Sequence, residues 1–206
     1  SKFISFEGLD GSGKTTQSKL LQQYLQQHYN LQVDWTREPG GNEFCDNVRQ
    51  LLAENEYIKG HTKLLLIMAA RFEHINELIK PQITKGNWVI TDRFIDSSLA
   101  YQNSLDNIPY DFILQEHINF AIDFWPDVTF LLDVDPNNLA ERFNRQRPMD
   151  YYDSLKIVEK EKLRNNFLNI ATLYPDRFIV IDGMQSTENV HESIIKNLHY
   201  KFHDIL

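Results

Sequence analysis

The chain has 206 residues, with 21 Lys and Arg against 29 Asp and Glu and a formal net charge of −8. That balance excludes the basic stripe with which a protein displaces the counterions of a long nucleic-acid polymer, whereas an anionic small molecule needs only a local basic site. A single cysteine, Cys45, excludes an intrachain disulfide and a cysteine-based metal site. No apolar run reaches the length of a membrane span, and the opening strand pattern is not that of a signal peptide, so one cytoplasmic domain over 1–206 is expected. In chain order, the first element is a β-type run at 2–6. It is followed by Gly8-Leu9-Asp10-Gly11-Ser12-Gly13-Lys14-Thr15, a complete G-x-x-x-x-G-K-[ST]. In such a loop the glycines let successive N–H groups point at phosphate oxygens, the lysine adds a mobile positive charge, and the Thr hydroxyl can reach Mg²⁺.

A helix is expected over 16–27, with Leu20, Leu21, Tyr24 and Leu25 on one stripe. Strand 32–36 comes next and runs into Arg37-Glu38-Pro39-Gly40-Gly41. The segment 63–80 reads as a helix ended by Pro81. Its stretch 64–70 is apolar all round, so it needs cover on more than one side, from the sheet and a neighbouring helix or from a second subunit. Strand 88–91 leads to Asp92-Arg93, strand 128–134 to Asp135-Pro136, and strand 178–181 precedes a last amphipathic helix over 186–206, with Val190, Ile194, Ile195, Leu198 and Phe202 inward. Strands alternating with helices imply right-handed crossovers, hence an α/β fold with a doubly wound five-stranded parallel sheet flanked by helices. Ligands bind at the carboxyl ends of such strands, which is where the polar clusters fall, so four strand ends are expected to form one site. The seven histidines have no ligand spacing and read as surface or core residues.

A phosphate cradle alone leaves kinase, ATPase and GTPase open. The chain lacks the guanine-reading N-K-x-D of GTPases, and 206 residues hold too little sheet for a motor ATPase. A small-molecule kinase remains. A nucleoside monophosphate acceptor is already largely dianionic at neutral pH, because its second pKa is about 6, and needs no general base. It needs neutralisation and in-line placement. Arg93, just after a strand, is suited to bridge the donor and acceptor phosphates with its rigid fork of donors. Arg49, on the helix after the Glu-Pro-Gly-Gly turn, is suited to hold the acceptor phosphate.

Four blocks occur together: 3–17 with the cradle, Thr36-Arg37-Glu38-Pro39-Gly40-Gly41, Ala69-Ala70-Arg71, and Thr91-Asp92-Arg93-Phe94 with Ser97-Ser98-Leu99-Ala100-Tyr101-Gln102. In this order and spacing the sequence resembles thymidylate kinases from residue 2 to about residue 183. The resemblance implies a P-loop NTPase fold with a short lid, transfer of the γ-phosphoryl of ATP to dTMP with Mg²⁺, and a homodimer. It also implies roles at matching positions. Lys14 and the cradle backbone from Gly8 to Thr15 would take the donor phosphates; Asp10 would face the acceptor's 3′-hydroxyl and help place Mg²⁺, which Thr15 would bind directly and Asp92 through water. Glu38 and Pro39 would line the acceptor pocket, Arg71 would read the pyrimidine O4, Ser98 would meet the N3 edge, and Tyr101 would crowd the sugar C2′ with Gln102 beside it. One position departs from the pattern: Ile67 stands where relatives usually carry the Phe that stacks on thymine, and Phe72, five residues on, points elsewhere on the helix.

The lid is expected over about 142–153. Arg142, Arg145 and Arg147 lie on a short segment closed by Pro148. Thymidylate kinases carry a catalytic Arg either in the cradle or in the lid. Here Leu9, Asp10, Gly11 and Ser12 include none, so the lid supplies the charge: Arg145 or Arg147 on the transferring phosphoryl, Arg142 on the adenine. Three other readings stay open: a deoxynucleoside kinase with Glu38 as base, another pyrimidine monophosphate kinase, and a nucleotide-binding switch without an acceptor pocket. Selectivity for dTMP over dUMP or modified pyrimidines is also open, given Ile67.

Overall fold

The structure, a computed structural model, describes residues 1–55, 57–121, 124–139 and 155–204. Five strands, β1 (Phe3–Glu7), β2 (Val33–Arg37), β3 (Trp88–Asp92), β4 (Val128–Asp133) and β5 (Phe178–Asp182), form one all-parallel sheet in the order β2-β3-β1-β4-β5. The central β1 is buried at all five positions, as expected of a parallel strand covered on both faces. Alternate side chains feed two cores. On one face Phe3, Val89, Leu131 and Phe178 pack together, and on the other Ile4, Phe6, Ile90 and Phe130. The register places Asp92 beside both Phe6 and Arg37, so β1, β2 and β3 end at one level.

Helices α1 (Lys14–Tyr29) and α8 (Thr187–Lys201) cover the second core with Leu21, Leu25, Val190, Ile194 and Leu198. Helices α3 (Gly60–His74), α5 (Ile95–Asp106), α6 (Tyr110–Ala121) and α7 (Ile157–Leu173) lie over the first, and α2 (Glu43–Glu54) packs on α3. Local chemistry sets several ends. Asn30 stops α1 in the left-handed region at φ 51°, the Asn42 side chain caps α2 by accepting from the Cys45 N–H, and Ser186 caps α8 from the Asn189 N–H.

Two helix readings need correction. The segment expected to end at Pro81 begins at Gly60 and continues through a π-turn at Ile75–Ile79 into α4 (Lys80–Thr84). The Lys80 N–H reaches back five residues to the Ile75 carbonyl, and Pro81 then sits in the first turn of α4. The last helix ends at Lys201, with Phe202 as its buried C-cap, and Ile195 is only half-buried rather than inward. On α3, Leu64, Met68 and Ala70 are buried, but Leu65 is 55% and Phe72 40% exposed. The sheet and neighbouring helices therefore cover one side only of the stretch that is apolar all round.

Candidate active site

The cradle follows β1 and coils through three positive-φ glycines, Gly8 at 137°, Gly11 at 82° and Gly13 at 96°. A Cβ on Gly8 would come within 2.6 Å of the Leu132 carbonyl, so this residue also lets the loop lie against β4. Leu9 turns its side chain into the core, leaving only its backbone for a ligand. Lys14 folds over the loop, its Nζ donating to the carbonyls of Gly8 at 3.1 Å and Leu9 at 2.7 Å. Burial pushes the Lys14 ammonium down to about 8, and nearby Arg93 adds to the effect, against the pull of Asp10 and Asp92. An arriving phosphate reverses that balance.

The Thr15 hydroxyl donates to Asp92 Oδ2, while the other oxygen of the buried Asp92, Oδ1, has no hydrogen-bond partner. A hydroxyl beside a carboxylate with an unused oxygen is a hard-oxygen donor set that fits Mg²⁺. Among the described residues no group of three His, Cys, Asp or Glu could hold a metal. An ion here would therefore complete its shell with phosphate oxygens and water, the usual mode for Mg²⁺.

On the acceptor side, every residue expected there lines a single cavity of about 170 Å³: Asp10, Glu38, Pro39, Arg49, Ile67, Arg71, Arg93, Ser98, Tyr101 and Gln102. At one end Arg93 Nη2 donates to Asp10 Oδ1 at 2.6 Å and Nη1 to Ser97 Oγ at 2.9 Å, and the Tyr101 hydroxyl donates to Asp10 Oδ2 at 3.1 Å. Burial raises the Asp10 carboxyl, but the charges of Arg93 and Lys14 and the two hydrogen bonds outweigh it, holding it well below the usual carboxylate range. Arg93 itself sits at φ 73°, a region most side chains avoid. Arg49 donates to the Pro39 carbonyl at 3.3 Å, and its pKa is lowered by burial and then by the charges of Arg37 and Arg93. Arg49 and Arg93 both line the cavity, a pair of guanidinium groups whose charge suits an anion.

At the other end Arg71, 2% exposed, donates from Nε to Glu38 Oε2 at 2.7 Å and from Nη2 to the Phe94 carbonyl at 3.2 Å and Ser98 Oγ at 3.1 Å. The second Glu38 oxygen accepts from His74 Nδ1 at 3.0 Å, and His74 Nε2 lies 2.8 Å from the Thr36 hydroxyl. Burial would raise the Glu38 carboxyl, but Arg71 and His74 more than offset it and hold it below its ordinary value. With both oxygens engaged and its basicity reduced, Glu38 is poorly suited to the general-base role that a hydroxyl acceptor would require.

Sequence reasoning missed Leu52, Ala53, Lys63, Phe94 and Ser97 on the cavity wall, and His74 behind it. His74 had a usable signal, since it lies three residues after Arg71 on one helix face. Phe94 gave none, because its contact with Arg71 joins distant parts of the chain, the guanidinium carbon lying 5.3 Å from the ring centre. Ile67 lines the cavity, whereas Phe72 does not. Arg142, Arg145, Arg147 and the whole of the expected lid over 142–153 lie outside the described residues.

The chain matches the family model described as thymidylate kinase over residues 6–194. It is 36% identical over 206 residues to the thymidylate kinase of Orientia tsutsugamushi (strain Ikeda), covering 97% of this chain and 94% of the relative. To that of Ehrlichia ruminantium (strain Gardel) it is 40% identical over 191 residues, 92% of each chain. The crystal structure of thymidylate kinase from Ehrlichia chaffeensis superposes with a TM-score of 0.76 at 39% identity, over 96% of this chain and 98% of that one. With the cradle, the arginine cluster and the Arg71 pocket arranged on one edge of the sheet, this chain belongs to the thymidylate kinase family.

Proposed function

We propose that the protein transfers the γ-phosphoryl group of ATP to dTMP, giving dTDP and ADP, as a step in dTTP formation. The observation that carries this reading is the single cavity shared by all the acceptor-side residues, with Arg93 and Asp10 at the end nearest the cradle. ATP phosphates lie on the cradle N–H groups and Lys14. Thr15 would hold Mg²⁺ directly and Asp92 through water, with Asp10 helping to place it, and the ion would supply neutralisation of the phosphates. Arg93 bridges donor and acceptor phosphates, Arg49 holds the acceptor phosphate, and Asp10 faces the sugar 3′-hydroxyl. Arg71 donates to the pyrimidine O4, Ser98 meets N3, and Tyr101, with Gln102 beside it, closes the space a ribose 2′-hydroxyl would need. Arg145 or Arg147 completes the charge on the transferring group, and Arg142 packs on adenine.

A coupled ATP assay across the nucleoside monophosphates, with thymidine included, tests the proposal. Activity on dTMP and little on thymidine is expected; turnover confined to AMP or CMP would overturn the acceptor while leaving the cradle intact. Ile67→Phe would add an aromatic face worth about 0.5–1.5 kcal/mol to the base site, lowering KM for dTMP roughly two- to tenfold. An unchanged or higher KM in steady-state kinetics would show that the ring does not reach the base.

The chain is further proposed to act as a homodimer through α2 and α3. Phe44 at 48%, Leu51 at 42%, Leu65 at 55% and Phe72 at 40% are exposed on this one helix pair, apolar side chains of the kind a second subunit would cover. Sedimentation equilibrium should give twice the 24.3 kDa chain mass, and Leu65→Glu should shift it to the single-chain value. No described helix is long and apolar enough to cross a membrane.

A further inference from the structure

Glu7 ends β1, just ahead of the cradle, and is fully buried. Its oxygens are both used, Oε1 accepting from the Phe94 N–H at 2.7 Å and Oε2 from the Ser97 hydroxyl at 2.6 Å. Ser97 Oγ in turn accepts from Arg93 Nη1 at 2.9 Å. A guanidinium can only donate, so Ser97 Oγ meets Arg93 as an acceptor, and this one oxygen joins Arg93 to the Glu7 carboxyl. The same carboxyl thus holds the backbone immediately after the left-handed Arg93 and, through one hydroxyl, the tip of the Arg93 side chain.

We infer that Glu7, acting through Ser97, is a positioning residue that aims the Arg93 guanidinium along the line of phosphoryl transfer. The opposite arm of Arg93 is held by Asp10, which on the proposed reading also meets the acceptor's sugar, so that arm is shared with substrate while the Ser97–Glu7 arm is not. Packing alone does not account for an acid at this place. Burial and the neighbouring Asp96 push the Glu7 carboxyl up to about 8, against the hydrogen bonds from Ser97 and Phe94 and the charge of Arg93. An apolar side chain would fill the same space without that penalty.

The inference rests on Arg93 bridging the two phosphates, so the test includes Arg93. Ser97→Ala removes one oxygen from the relay, and Glu7→Asp shortens the acid by a methylene so that it cannot reach both partners. Each is made alone and together with Arg93→Lys, and kcat, both KM values and Tm are measured. Each single change is expected to lower kcat about tenfold, with Tm falling by several degrees for the lost buried hydrogen bond, and to change kcat less than about twofold once Arg93 is Lys, because coupled residues are not additive. Should Glu7→Asp fail to fold, Ser97→Ala decides alone. Wild-type kcat in Ser97→Ala beside a strong loss in Arg93→Lys would overturn the relay, as would an equal fall in both backgrounds. Full activity in Arg93→Lys would instead overturn the bridging role of Arg93.

Discussion

Arg93→Ala is expected to lower kcat by about 10³-fold or more, the lower range reported for loss of an arginine that stabilises a transferring phosphoryl group. Arg93 is tied to Asp10, Ser97 and Tyr101, so its fork is held before substrate arrives. Orientation fixed in advance is what raises kcat, since interactions made only at the transition state lower the barrier. Lysine keeps the charge but cannot span two phosphates with a planar fork, so Arg93→Lys should recover only a small part of the loss. Part of that loss has a second source. Without Arg93 the half-buried Asp10 loses its main counter-charge, its pKa rises toward the ordinary carboxylate range, and the network beside the cradle loosens. Presteady-state measurement of the transfer step, with dTMP and ATP saturating, separates the chemical loss from weaker binding. A kcat within about threefold of wild type would remove Arg93 from the transfer step.

The second large effect is expected in the lid. Arg145→Ala and Arg147→Ala are made separately, and one of them should lower kcat at saturating ATP by about 10³-fold, while Arg142→Ala should chiefly raise KM for ATP. The described part of the site is what motivates placing a cation in the lid. Leu9 is buried, Asp10 is acidic, and Gly11 and Ser12 have no charge, so the cradle offers only Lys14 to a transition state carrying charge on several oxygens. Near-parental kcat in both Arg145→Ala and Arg147→Ala would place the missing charge elsewhere.

Much of this site was legible in the chain because its parts are local. The glycines of the cradle, the Glu38-Pro39-Gly40-Gly41 turn and the Asp92-Arg93 pair each sit directly after a strand, and parallel strands bring their carboxyl ends together whatever the order of the sheet. The residues that were not legible act across distance. Glu7 reads as the end of an apolar strand, and its purpose shows only when Phe94 and Ser97 come within hydrogen-bond reach from some 90 positions away. His74 reads as a scattered histidine until Glu38 and Thr36 meet its two nitrogens. Pro81 misled for a different reason. A proline stops a regular helix, but a wider turn immediately before it removes the clash, and nothing in the apolar periodicity marks where a helix will widen.

The three-point grip on Arg71 has a consequence for which bases the pocket turns away. Glu38, the Phe94 carbonyl and Ser98 hold a group that can only give hydrogen bonds, in a place without room to rotate. On the proposed role of Arg71, a ring with a carbonyl at that edge would complete the arrangement, whereas an amino group there, as on cytosine, would set donor against donor. On that reading, rejection would come from the folded protein's own rigidity, the pocket discriminating by refusing to adjust before any chemistry begins.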